Sequence, residues 1–292
     1  MSSIPQNTGI LKWYIPFVFC AALQYEFAKD GLDYASPFVL MAIRYLSMGA
    51  ILLLIGRELP LDSDSLKVAF LSSISTAFWA LGLEYVSPGD SAVLSYTMPL
   101  FSIALAVFIA NESLSLIEVI GAVVGFSGVI IYSITLEHGS LLIGTIFTLV
   151  NAVFWGAFSV YYRKLRARKP IPLLTTQFLV GSIPLVAGSL FFPAIRFTPG
   201  LAMDLLYLIT LGGLIQLGFW NALLRRARVG KITTMAFAVP AVTVAINSIR
   251  TSSIPDLDAI LGATIMFVGI FISSSRGKYG DKKNAPIETH VG

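Results

Sequence analysis

The chain has 292 residues, with 20 Lys and Arg against 16 Asp and Glu, so only 12% of it is charged. A soluble domain carries roughly 25%. Hydrophobic residues reach 56% and the mean hydropathy is +0.80, an excess that one soluble core cannot hide. Composition therefore excludes a cytosolic enzyme, a DNA-binding module and a disordered protein. Two His and the single Cys20 leave no material for a His/Cys metal cluster or an internal disulfide, and no metal or cofactor is expected.

A membrane-spanning helix needs about 20 mostly apolar residues. Taken in order, ten runs qualify: 13–28, 37–56, 68–84, 89–110, 115–134, 140–161, 173–193, 202–224, 231–249 and 258–274. Pro, Gly and charges punctuate the gaps, as at Ser87-Pro88-Gly89-Asp90. Residues 1–11 lack the basic segment of a cleavable signal, so the first run is expected to be retained. With ten spans both termini share a side. Of the 20 basic residues, only Lys29, Arg196 and Arg250 fall on the opposite side, and Arg44 lies within a span. The bias places both termini in the cytoplasm of a multi-pass plasma-membrane protein. It also accounts for the pI near 9.1 without a nucleic-acid partner.

An offset of 141 residues superposes Phe78-Trp79 on Phe219-Trp220, Gly89 on Gly230, Pro99 on Pro240, Gly121 on Gly262 and Gly128 on Gly269. An offset of 134–135 brings Lys29 onto Arg163 and Pro37 onto Pro172. Two repeats of five spans each result. An odd number of spans forces the second repeat into the membrane upside down, as in secondary transporters with a site near the midplane. The expected organisation is a short cytoplasmic N-terminus (1–11), a first repeat (12–136), a second repeat (137–275) and a basic cytoplasmic tail (276–292).

The motifs in these repeats resemble the drug/metabolite transporter superfamily, in its ten-helix form with two EamA-like repeats. Trp155-Gly156 followed by Arg163 fits the first helix of a repeat; in the other copy Lys29 is present, but Ala21-Ala22 replaces Trp-Gly. Pro37 with Arg44 fits the second helix. Pro99 with Glu112-Ser113-Leu114 fits the fourth, whose partner keeps Pro240 but has Ser253 in place of the Glu. Gly121, Gly125 and Gly128 fit the Gly-rich fifth. The resemblance implies an all-α integral membrane protein of ten helices around a central cavity, with spans five and ten bracing the rest.

Polar and aromatic residues concentrate in spans one, three, four, six, eight and nine. The cavity candidates are Gln24, Tyr25, Thr76, Trp79, Tyr96, Asn151, Trp155, Gln216, Trp220, Asn221 and Phe237. Trp79 and Trp220 hold equivalent repeat positions and offer aromatic faces to an amphipathic or cationic ligand. Arg44 lies about eight residues into span two and needs a partner or a wet cavity, with Glu26 and Glu84 in the same half as candidate partners. Glu112 ends span four as a cap or gate partner. Pro99 and Pro240 read either as static kinks or as helix-break hinges. The glycine stripe of span five reads as packing within the monomer, which is favoured, or as a dimer seam.

The leading expectation is a secondary transporter that exports a small, amino-acid-like metabolite by alternating access through the bilayer. A proton-coupled organic-cation exporter using Glu26 is the alternative. A non-transport intramembrane enzyme or scaffold is the third.

Overall fold

The computed structural model describes residues 8–110, 115–134, 140–165, 167–226 and 238–274, and over these it is all-helical. The elements are α1 (Thr8–Leu32), α2 (Pro37–Gly56), α3 (Ser63–Tyr85), α4 (Pro88–Ser95), α5 (Met98–Ala110), α6 (Leu116–Ile134), α7 (Ser140–Lys164) and α8 (Pro170–Phe191). They continue with α9 (Pro199–Ile209), a π-helical segment (Thr210–Ile215), α10 (Gln216–Arg226), α11 (Ala238–Thr251) and α12 (Leu257–Ser274). Among the described residues, six stretches are long and apolar enough to cross a bilayer: Pro37–Gly56, Ser63–Tyr85, Leu116–Ile134, Leu141–Tyr162, Pro170–Phe191 and Pro199–Trp220. Leu257–Ile272 is apolar but shorter. Helix α1 is longer than the expected run and carries Lys12, Glu26, Lys29 and Asp30.

Helix starts follow a simple local rule. Ser36, Ser87 and Thr198 each accept a backbone N–H from the first turn, and each is followed by Pro at the first helical position. A Pro there loses no hydrogen bond and presets φ. The expected span 89–110 is not one helix. It divides at Tyr96–Thr97, because Pro99 cannot donate a backbone hydrogen bond and crowds the residue before it. The Thr97 hydroxyl donates to the Leu94 carbonyl at 2.7 Å, which satisfies one acceptor at the break.

Helix pairs α2–α8, α3–α7 and α6–α12 make the most extensive packing contacts among the described residues. Helices α2 and α8 run antiparallel: Phe38 lies against Gly188, Gly49 against Leu179, and Gly56 against Ile171. Helices α6 and α12 also run antiparallel. A Cβ on Gly128 would stand 2.7 Å from the Gly262 carbonyl, and one on Gly269 would stand 2.6 Å from the Gly121 carbonyl. The glycine stripe of α6 therefore meets α12 of the same chain, while Ile117, Ile120, Val123 and Ile130 remain exposed on the outer side of α6, the disposition expected of a lipid-facing surface.

The loops tie together in two groups. At one end, Ser36 N–H donates to the Ala194 carbonyl and Arg196 N–H to the Tyr34 carbonyl. Lys29 Nζ donates to the carbonyls of Leu83, Glu84 and Val86 at 2.7–3.1 Å. At the other end, Arg168 Nη1 bonds both carboxylate oxygens of Asp62 at 2.7 and 2.8 Å, and Arg168 Nη2 lies 3.3 Å from Asp64. The Arg168 guanidinium, with the Ser65 hydroxyl, holds the Asp62 carboxyl well below the usual carboxylate range. A depressed folded value contributes stability that is present at neutral pH and is lost as pH falls through the acid range below about 4. Asn caps a helix as well as Asp, so Asp62→Asn isolates the ion pair. The variant should melt below wild type at neutral pH, and the two melting temperatures should converge in acid. Parallel thermal melts across pH check this, and a pH-independent gap sinks it.

Candidate functional site

Four of the expected residues come together where α1, α2 and α3 meet the π-helical segment. Arg44, 8% exposed, donates through Nη2 to Gln24 Oε1 at 2.9 Å and to the Gly212 carbonyl at 2.9 Å. Its Nε donates to the Leu208 carbonyl at 3.2 Å, and among the described residues Nη1 approaches only Met41 Sδ, at 4.0 Å. The guanidinium lies 5.8 Å from the Trp79 ring, and Tyr25 meets that ring edge-on at 5.4 Å.

The acceptors come from three elements: Gln24 on α1, Leu208 near the end of α9, and Gly212 in the π-helical segment. The wider turn of that segment leaves carbonyls that a regular helix would have engaged one turn later, and Gly212-Gly213 disfavours the regular form locally. Both glycines are tightly fitted: a Cβ on Gly212 would stand 2.9 Å from the Tyr207 ring, and one on Gly213 2.5 Å from the Leu208 carbonyl.

Two expectations are corrected here. Arg44 was expected to pair with Glu26 or Glu84, but among the described residues no carboxylate lies within ion-pair distance of it. Glu26 instead bonds Arg250 Nη1 at 2.6 Å, and Glu84 is exposed. Arg250 also bonds Asp30, at 3.0 and 3.1 Å. The Trp79 face was expected to be open to a cationic ligand, but Arg44 occupies it.

The other expected residues lie around this cluster. Asn151 on α7 accepts from Ser75 on α3 at 2.7 Å and donates to Ser95 at 3.0 Å, next to the break between α4 and α5. Thr76 shares a 2.6 Å hydrogen bond with the Tyr45 hydroxyl. Tyr96 caps α4, partly buried against the apolar cluster that contains Trp79. Trp220 stacks on Phe17 of α1 at 5.2 Å, about two helical turns from Tyr25. Both equivalent tryptophans thus pack on α1. Gln216 follows the π-helical segment directly. Trp155 is not in this group and packs on Phe158 at 4.8 Å in a separate apolar cluster. Pro99 sits at the break, and Pro240 lies in the first turn of α11 as described. Phe237 and Glu112 lie outside the described residues, as does the side chain of Asn221.

Sequence reasoning missed the π-helical segment, Ser95, Arg250 and Asp204. The adjacent glycines at 212–213 were the available signal for the first. Asp204 is buried in an apolar span, 6% exposed, with its Cβ 3.7 Å from where a Cβ on Gly31 would stand.

A helical membrane protein with one broken span and one π-helical span near a buried polar cluster has the architecture of a membrane transporter. The chain belongs to the EamA-like transporter family, whose pattern matches it twice, over residues 9–134 and 142–275. It is 42% identical over 233 residues to a protein of Acidianus ambivalens named "Uncharacterized transporter in sor 3'region", covering 80% of this chain and 92% of that one. It is 24% identical to a "Probable amino-acid metabolite efflux pump" of Salmonella typhimurium, covering 86% and 90%. One protein crystal structure of 15% identity superposes with a TM-score of 0.67 over 93% of this chain and 99% of that one, which shows a shared fold.

Proposed function

We propose that the chain is a secondary transporter exporting a small, amino-acid-like metabolite by alternating access across the plasma membrane. One span breaks at Tyr96–Thr97 and another changes to π-helical geometry at Thr210–Ile215, and this observation carries the reading. Broken spans bare carbonyls at depth and supply places where one half can move against the other. The antiparallel pairs α2–α8 and α6–α12 support an inverted arrangement of repeats 12–136 and 137–275, because the members of each pair are repeat equivalents. The relative named as an amino-acid metabolite efflux pump supports the substrate class and direction. The organic-cation alternative is weaker, since Glu26 is engaged by Arg250 and the Trp79 face by Arg44.

Proteoliposomes offered radiolabelled amino acids and organic cations test the function. Saturable uptake of an amino acid, faster than in empty liposomes, is expected; uptake of cations alone sinks the substrate class. Orientation is checked in intact cells in a Cys20→Ser background. A Cys at the exposed Phe197 should react with an impermeant thiol reagent, and one at the exposed Ala167 should not.

A further inference from the structure

We propose that Arg44 and Trp79 form an oxyanion-binding site, and that the transported metabolite carries a carboxylate that these donors hold. The proposal rests on the transporter reading and adds the charge of the substrate.

The first observation is an uncompensated charge. A guanidinium stays protonated at any physiological pH, Arg44 is buried in the bundle, and every partner it has among the described residues is neutral: Gln24 Oε1, two backbone carbonyls and a thioether. A lone charge inside a membrane bundle marks an ion or substrate pathway unless something pairs with it.

The second observation is a surplus of donors. Among the described residues, three of the five guanidinium N–H groups reach oxygen, while Nη1 meets only the sulfur of Met41 at 4.0 Å, a weak acceptor. Trp79 Nε1 is buried and has no hydrogen-bond partner among the described residues. Two unmatched donor groups therefore lie in one cluster, and indole and guanidinium can only donate. The group that answers both is an acceptor with negative charge. A carboxylate brings one charge to balance one guanidinium; a phosphate brings up to two, the second of which no described cation at this cluster balances.

The test uses four probes of one branched skeleton on detergent-purified protein: L-leucine, 4-methylpentanoate, 3-methylbutylamine and 3-methylbutyl phosphate. A ligand that binds the folded state raises the melting temperature with its concentration. The two carboxylates should stabilise wild type, and the amine and phosphate should not. Trp79→Phe keeps the ring and removes only the Nε1 donor, and it should weaken the carboxylates by about ten-fold, the size of one charge-assisted hydrogen bond. Arg44→Gln should abolish the response; if it does not fold, Trp79→Phe carries the test. Wild-type affinity for carboxylates in the folded variants overturns the site. So does stabilisation by the amine or the phosphate in preference, or by none of the four. The liposome panel judges the transporter reading separately: uptake of any metabolite keeps that reading even if the anion site is lost.

Discussion

Gly269→Ala should be strongly destabilising although it adds one methyl group to a helix. The new Cβ would fall onto the backbone of Gly125 and 2.6 Å from the Gly121 carbonyl, so no rotamer relieves it and α6 and α12 must separate. Overpacking costs about 1–3 kcal/mol where a side chain can move, and a backbone obstacle places this case at or above that range. Gly218 provides the control, because among the described residues a Cβ there meets nothing within 4 Å. Gly218→Ala should be neutral or up to about 1 kcal/mol more stable, through helix propensity alone. Thermal melts and size-exclusion profiles of the two variants compare them directly. Equal behaviour would mean that the α6–α12 seam is looser than described.

Arg44→Ala is the second large effect. It strips donors from Gln24 Oε1 and from the Leu208 and Gly212 carbonyls. An unsatisfied buried group costs about 1–3 kcal/mol, so a loss of about 3 kcal/mol or more is expected, along with a fall in folded yield. Combining it with Glu26→Ala should not restore the yield, because Glu26 belongs to Arg250. Arg250→Ala and Glu26→Ala, in contrast, should be less than additive, as members of one ion pair are. Rescue of Arg44→Ala by Glu26→Ala would mean that the two side chains share a state not seen here.

These outcomes also mark what residue patterns can convey. Ser36-Pro37, Ser87-Pro88 and Thr198-Pro199 are readable as helix starts because cap and first-turn Pro act within three residues. Pro99 marks where the span is disturbed, and the break falls two to three residues earlier, because the proline lacks an N–H for the Ser95 carbonyl and crowds it. The glycines of α6 were legible as a packing stripe, and only the structure names α12 as the facing helix. The partner of Arg44 was not legible. A buried Arg in a span calls for a carboxylate, whereas its acceptors are the neutral Gln24 amide and two main-chain carbonyls from a distant helix, one of them in the π-helical segment. Trp155 shares a helical face with Asn151, yet lies one turn further along α7 and falls into a different cluster.

The pairing of α2 with α8 and of α6 with α12 has a consequence for biosynthesis. Each pair joins a helix made early to one made late, so the first half of the chain reaches the bilayer with its glycine-lined faces uncovered. Those faces wait in lipid, open to wrong partners, until the second half has left the ribosome. Assembly is governed by these distant pairings rather than by neighbouring helices. Truncation after the first five spans should therefore leave a fragment prone to self-association and degradation, and supplying the missing half as a separate chain should rescue it.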